Sequence, residues 1–118
     1  MLKLNHKNLD VWKKAIKLDA EIYRLTALFP KEEMYLLTNQ MRRAAVSIVS
    51  NIAEGSGRIT EKDQRRFFEI SPSSLIELDS QFEICIVLLY LKEEELYDVN
   101  ELVNYIFAVL TKFIKRRQ

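Results

Sequence analysis

The sequence predicts an all-α protein, an antiparallel four-helix bundle whose helices run up, down, up and down, and three observations support this prediction. The 118 residues suffice for one domain, which we take as residues 1–118. Two glycines and two prolines are too few for the turns of a β-sandwich or barrel. Four stretches repeat apolar residues at steps of three and four, which is the spacing of one helical face. The connections between them are short, which favours antiparallel neighbours.

The first two helices are predicted from such stripes and from the residues at their ends. The first runs from the N-cap Asp10 to residue 29, because a proline follows. Its stripe is Val11, Ala15, Leu18, Ile22, Leu25 and Phe29. The second covers about residues 31–54, with the stripe Leu37, Met41, Ala44 or Ala45, Ile48 and Ile52. Both glycines of the chain follow at Gly55 and Gly57, where we expect them to cap the helix and form a tight connection.

The third and fourth helices are predicted in the same way. The third covers about residues 61–91 and follows Thr60, which resembles the start of a capping box. Its stripe is Phe68, Leu75, Leu78, Phe82, Cys85 and Leu89. Pro72 should kink or briefly break this helix, because proline lacks a backbone donor. The fourth helix opens at Asp98, with the stripe Val99, Val103, Ile106, Leu110 and Phe113.

The apolar surface of these helices exceeds what one copy needs. Residues 84–91 are apolar on every side of their helix, and Tyr105, Phe107 and Val109 lie outside the main stripe of the fourth helix. A helix that is apolar all round should be covered all round. The uncovered half would form an exposed patch, which usually marks an interface. We therefore expect the chain to associate with itself.

The composition excludes several classes of function. One histidine, His6, and one cysteine, Cys85, are too few for a zinc site or a di-iron bundle, so we expect no metal and no cofactor. Cys85 lies on a core stripe, which predicts an inert thiol. A catalytic triad would need His6 from the chain terminus, and we expect no enzymatic activity. The cysteine count suits a reducing compartment and no apolar run could span a membrane, which predicts a cytoplasmic protein.

Basic side chains cluster at three places in the sequence: Arg42 and Arg43, then Arg58, Lys62, Arg65 and Arg66, and finally Lys115–Arg117. If the glycine turn brings the second group to one end of the bundle, copies in an oligomer would form a surface for phosphate backbones. The alternative is a solvated face, because Glu93–Glu95 is acidic and no aromatic side chain alternates with the basic ones. The residues alone leave both possibilities open.

Two polar stripes are predicted on the second and third helices. One consists of Arg43, Ser47, Ser50 or Asn51, and Glu54, and the other of Glu69, Ser73, Glu77 and Ser80. Facing each other in an antiparallel pair, they could set the register of the two helices through hydrogen bonds and an Arg43–Glu77 ion pair. The alternative is that each stripe is solvated.

The run Gln40–Arg58 reads QMRRAAVSIVSNIAEGSGR and resembles the signature of a known family, the four-helix-bundle proteins encoded in 23S rRNA intervening sequences. That family is also called S23 ribosomal protein-like and includes the accessory variability proteins of diversity-generating retroelements. The segments Asp10–Ala15 and Ser74–Leu78 support the resemblance. It implies a bundle that assembles as a homopentameric ring. In the retroelement branch it implies a basic surface that binds nucleic acid, with a reverse transcriptase and its template RNA as partners.

The residues that match the family motif are Arg42, Arg43, Asn51, Glu54 and Arg58. The resemblance leaves open whether they bind a ligand or hold the bundle and ring together. Our functional prediction is a non-enzymatic, ring-forming protein that binds nucleic acid, RNA or DNA, through its repeated basic side chains, and structured RNA is the favoured ligand. The alternative is a scaffold for protein interactions, for example with a reverse transcriptase, in which the arginines serve structure.

Overall fold

The computed structural model describes all 118 residues and contains four helices. They are α1 (Asp10–Thr26), α2 (Leu37–Gly57), α3 (Glu61–Val87) and α4 (Tyr97–Arg116), with short 3-10 turns at Asn5–Asn8, Lys31–Glu33 and Glu93–Leu96. Each helix packs on two neighbours, in the cyclic order α1, α2, α3, α4. Because the connections are short, successive helices are antiparallel. The predicted four-helix bundle is confirmed, with extents of 44 × 29 × 21 Å.

The core is formed by the predicted apolar stripes. Every residue of the stripes on α1 and α2 is buried, and so are five of the six predicted on α3. The exception is Leu89, whose side chain is 89% exposed. On α4, Val99, Ile106 and Leu110 are buried, while Val103 and Phe113 are half-buried and pack against the core. The three-and-four spacing therefore identified the buried faces correctly.

Helix α1 ends at Thr26, three residues before the predicted end at residue 29. Three predicted helix starts also differ from the structure, and at each of them the N-cap residue makes no side-chain hydrogen bond. Asp10 is the first helical residue, and the N-cap position belongs to Leu9, which offers no side-chain acceptor. Helix α2 begins at Leu37, since the chain after Pro30 first makes a 3-10 turn. Helix α4 begins at Tyr97, one residue before the predicted Asp98.

The two glycines do not cap α2, as the sequence suggested, but lie inside it. Neither has a positive φ, and the helix ends where Arg58 becomes extended. A Cβ atom on Gly55 would lie 2.6 Å from two ring carbons of Phe68, whereas one on Gly57 would meet nothing within 4 Å. Gly55 is thus required for the close approach of α2 and α3.

Helix α3 starts and continues as one element. The backbone N–H of Asp63 donates to the Thr60 hydroxyl at 3.2 Å, which confirms the predicted cap. The expected break at Pro72 does not occur. The helix is continuous over 27 residues and contains Pro72 in its interior. A proline removes one donor, and the remaining hydrogen bonds of so long a helix maintain it.

Helix α3 ends at Val87, four residues earlier than predicted, because a leucine takes the place of a C-terminal glycine. Leu89 has a φ of 63°, in the left-handed region. Its N–H donates to the Ile86 carbonyl at 3.1 Å, and that of Tyr90 donates to the Cys85 carbonyl at 2.9 Å. These are the two hydrogen bonds of a Schellman motif, in which glycine is preferred because a Cβ is strained there.

Candidate nucleic-acid interface

Two of the three basic groups come together at one end of the bundle, which we call the basic end: Arg58, Lys62, Arg65 and Arg66 with the C-terminal Lys115–Arg117. The α2–α3 connection and the end of α4 meet there. Arg117 Nε donates to Gln64 Oε1 at 2.8 Å, and Arg65 Nη1 donates to the Arg117 carbonyl at 3.5 Å. These contacts hold the C-terminal basic run against the first turns of α3.

An aromatic ring lies among these basic side chains. The guanidinium carbons of Arg58 and Arg66 lie 4.4 and 5.2 Å from the centroid of the half-buried Phe67 ring. Arg58 also pairs with Glu54 at 2.7 Å. The expectation from the sequence that no aromatic side chain alternates with the basic ones is therefore incomplete, because Phe67 lies between two of them. Phe67 follows Arg66 directly in the sequence, so its contact with Arg66 is local. Its contact with Arg58 is between residues on opposite sides of the α2–α3 turn.

The remaining cations of the basic end differ in how many contacts they make within the chain. Arg65 lies 3.6 Å from a Glu69 oxygen. Arg117 donates to the Phe113 carbonyl at 2.8 Å, and its guanidinium lies over the Phe68 and Phe113 rings. Lys62 and Arg66 are exposed and belong to none of the three ion pairs of the chain. Lys115 and Arg116 are likewise exposed and in no ion pair, so these four cations are the most available to an anionic ligand.

The third basic group, Arg42 and Arg43, lies elsewhere. Arg42 precedes Arg58 by sixteen positions, about 24 Å along the axis of α2. Arg42 Nε donates to the Thr26 hydroxyl at 2.9 Å, and its guanidinium lies 4.6 Å from the Tyr23 ring centroid. It therefore fastens α2 to the end of α1. Arg43 is exposed and lines a shallow groove with Tyr23 and Arg42.

The polar contact between α2 and α3 is shifted by one residue from the predicted stripes. Glu69, Ser73, Glu77 and Ser80 are all exposed. The Ser74 hydroxyl instead donates to Ser47 Oγ at 3.2 Å, and the Ser71 hydroxyl donates to the Ile48 carbonyl at 3.1 Å. The expected Arg43–Glu77 ion pair is absent, although both residues line one groove. The apolar spacing fixes which face is buried but not the rotation of α3 to within one residue.

The other members of the predicted polar motif make contacts within their own helices. Asn51 Nδ2 donates to the Ser47 carbonyl at 2.8 Å. Glu54 pairs with Arg58 as described, and Glu77 accepts from Gln81 Nε2 at 3.3 Å. These contacts organise the exposed faces of α2 and α3 locally.

The structure also describes the chemistry around the single cysteine. Cys85 is buried, with its sulfur 3.7 Å from the Met41 sulfur. Burial raises the pKa of the Cys85 thiol to about 11, so the thiol is neutral at physiological pH.

Nowhere do three or more His, Cys, Asp or Glu side chains gather closely enough to hold a metal ion. None of the helices has the length and apolarity needed to cross a bilayer.

Comparisons with known proteins agree with the fold and identify the family. Residues 7–112 match the family model of the 23S rRNA-intervening sequence proteins. A protein of unknown function from the S23 ribosomal protein family of Bacteroides thetaiotaomicron superimposes with a TM-score of 0.80 at 22% identity, covering 89% of this chain and 95% of its own. No curated protein matches the sequence. The chain belongs to the family of 23S rRNA-intervening sequence proteins.

Proposed function

We propose that the chain forms a homo-oligomeric ring, a homopentamer, that binds structured RNA through the basic end of each copy. The basic end is the observation that carries the proposal. It gathers seven cations from three parts of the chain, and five of them have no carboxylate partner: Lys62, Arg66 and Lys115–Arg117. Each phosphate neutralised by such a cation releases condensed counterions, and repetition around a ring multiplies the effect.

Exposed apolar side chains support the oligomer. They occur at the end of α3 and the following turn, where Val87 and Leu89 are 79% and 89% exposed, and on α4, where Tyr105 and Phe107 are each 40% exposed. These residues belong to the segments whose apolar surplus the sequence showed. Large exposed patches of this kind commonly mark protein interfaces.

In this proposal the chain is a binding protein of the cytoplasm and not an enzyme. Its one cysteine is buried beside a methionine, which suits a compartment where disulfides do not form. Its one histidine, His6, packs edge-on against Trp12 with ring centroids 5.2 Å apart, and it lies in a short turn before α1.

Fluorescence anisotropy with a labelled, folded RNA tests the binding. The double variant Lys62→Gln/Arg66→Gln should raise the Kd about tenfold or more at low salt and flatten the salt dependence, because two phosphate contacts are lost. The control Lys17→Gln/Lys31→Gln removes the same charge from exposed positions elsewhere and should change the Kd little. Equal effects of the two pairs, or no binding at low salt, would contradict the proposal. Light scattering of the wild-type chain tests the ring.

A second candidate function is a scaffold that docks a protein partner, such as a reverse transcriptase, through its exposed apolar side chains. The use of Arg42, Arg58 and Arg117 in contacts within the chain favours it. Recovery of one defined partner after nuclease treatment, together with failure of the RNA titration, would support this function over RNA binding.

A further inference from the structure

A small groove adjoins the stacked arginine of the basic end. It has a volume of about 480 Å³ and lies between the N-terminal segment and the last turn of α2. Its lining combines apolar, hydrogen-bonding and charged groups, and includes Leu4, Asn5, His6, Gly57 and the Glu54–Arg58 ion pair. This size is within the range of small-molecule sites. Arg58 lines the groove and also packs on Phe67, so the groove and the stacked ring share one guanidinium group.

Gly57, in the wall of this groove, has no role that the fold explains. Its φ is not positive, so any residue could adopt its backbone conformation. A Cβ there would touch nothing, so glycine is not needed for packing. Glycine is also a poor helix former because it loses the most backbone entropy on folding. Within the chain alone an alanine would serve better, and what glycine provides is open space beside Arg58.

Arg58 is suited to stacking more than to holding a phosphate. Its charge is already paired with Glu54 at 2.7 Å, and the same ion pair and the Phe67 ring fix its planar group in place. Planar guanidinium groups and aromatic rings are the surfaces on which splayed-out bases stack. The unpaired cations Lys62 and Arg66 lie nearby on the first turns of α3 and can take the phosphates on either side.

We propose that this groove receives one unpaired nucleotide, whose base stacks on the Arg58 guanidinium group while the exposed cations of the basic end hold its flanking phosphates. The inference rests on the proposed RNA binding and specifies which part of the RNA is recognised: a loop, bulge or single-stranded segment. In a continuous duplex the bases are paired and stacked on each other, and a groove of this size admits none of them. A duplex would therefore contact the cations alone.

Anisotropy titrations with three labelled RNAs of 20 nucleotides test the inference: a single strand without stable structure, a blunt duplex, and a strand whose central nucleotides lack their bases. Stacking is worth about 1–3 kcal/mol per base, so the wild-type protein should bind the intact strand about tenfold more tightly than the abasic strand. Equal Kd values for the intact and abasic strands would overturn the inference. Failure of all three RNAs to bind would instead contradict the proposed function itself.

Two variants test the groove in different ways, one by its volume and one by the planar group that lines it. Gly57→Leu fills it, and Arg58→Lys keeps the charge but removes the planar group. Each should weaken binding of the intact strand about tenfold. Gly57→Leu removes no cation and should leave the Kd for the duplex unchanged. The control Ala20→Leu adds similar bulk to an exposed position of α1 and should change neither. Thermal unfolding checks that each variant folds, and unchanged binding of the intact strand by either folded variant would count against the proposed stacking.

Discussion

The two ends of the bundle are built from opposite chemistry. The basic end has a connection of only three residues between α2 and α3 and gathers arginines and lysines. The other end, which we call the leucine end, carries exposed apolar residues of the two longer connections: Leu28, Tyr35, Leu36, Val87, Leu88 and Leu89. The two connections meet there, with the Phe29 and Tyr90 rings 5.3 Å apart. Positive charge is thus concentrated at the basic end, while the leucine end combines these exposed apolar residues with the acidic run Glu93–Glu95.

The difference also appears in the backbone at the two ends. At the basic end, two glycines occupy ordinary helical conformations, one where a neighbour leaves no room and one beside an open groove. At the leucine end, a leucine takes the left-handed conformation that glycine adopts without strain. The glycines therefore keep space free of a side chain, and the leucine adds exposed apolar surface. Neither choice follows from local backbone preference.

The largest expected effect on the free energy of unfolding is at Gly55. It tests whether each glycine is needed for the space that a side chain would occupy. Gly55→Ala places a methyl group 2.6 Å from Phe68 ring carbons, and Phe68 is fully buried. Overpacking of this kind costs about 1–3 kcal/mol. Urea denaturation should show that loss in the free energy of unfolding, while Gly57→Ala should be neutral or slightly stabilising. Equal losses in both variants would show that the shared helix end, and not the space at each glycine, matters.

A second prediction compares the adjacent arginines Arg42 and Arg43. Arg42→Ala removes the hydrogen bond to Thr26 and the contact with the Tyr23 ring, and should lower the free energy of unfolding by about 1–2 kcal/mol. Arg43→Ala removes an exposed side chain in no ion pair and should change it by less than about 0.5 kcal/mol. A similar loss from Arg43→Ala would mean that it contacts another copy of the chain.

The leucine end offers a change that should raise stability. Leu89→Gly relieves a left-handed conformation that costs a leucine about 1–2 kcal/mol, and little burial is lost because the side chain is 89% exposed. Allowing for the greater entropy of an unfolded glycine, we expect a net gain of about 0.5–1 kcal/mol by thermal or urea unfolding. If the leucine end takes part in assembly, light scattering of the same variant should show a smaller oligomer. A loss of stability in the monomer would show that the left-handed leucine is not strained.

At neutral pH the smallest expected effect is that of Cys85, near the leucine end, because its titration changes stability only in alkaline solution. Burial raises the pKa of the Cys85 thiol to about 11, above the unfolded value of about 8.5, so the folded state favours the protonated thiol. Its stabilising contribution is complete below about pH 8.5 and is lost as the pH rises towards 11. Alkylation of the folded protein by iodoacetamide at pH 8 should accordingly be far slower than that of the urea-unfolded chain. Equal rates would show that the thiol is accessible.

The sequence predicted the bundle and its core because apolar spacing directly records which face of each helix is buried. It placed several helix ends wrongly because Leu9, Leu36 and Leu96 stand at N-cap positions without a side-chain acceptor. Leu89 was expected to continue α3, since nothing in an apolar run marks a left-handed residue.

The grouping of the candidate basic residues could be predicted only where they are close in the sequence. Lys62, Arg65 and Arg66 were expected together, and Arg58 was expected to join them through the turn. The Arg58–Phe67 contact could not be predicted because it depends on how α2 and α3 meet across that turn. The Arg43–Glu77 pair was wrong for a related reason, since a shift of one residue turns a helical side chain by about 100°.

Trp12, the only tryptophan of the chain, gives the protein an optical reporter of its own. The indole packs edge-on against His6, and its Nε1 is buried without a hydrogen-bond partner. His6 and its neighbour Asn5 also line the groove beside Arg58. Any movement of that segment changes the surroundings of the indole, so unlabelled samples can be followed by intrinsic emission without attaching a dye.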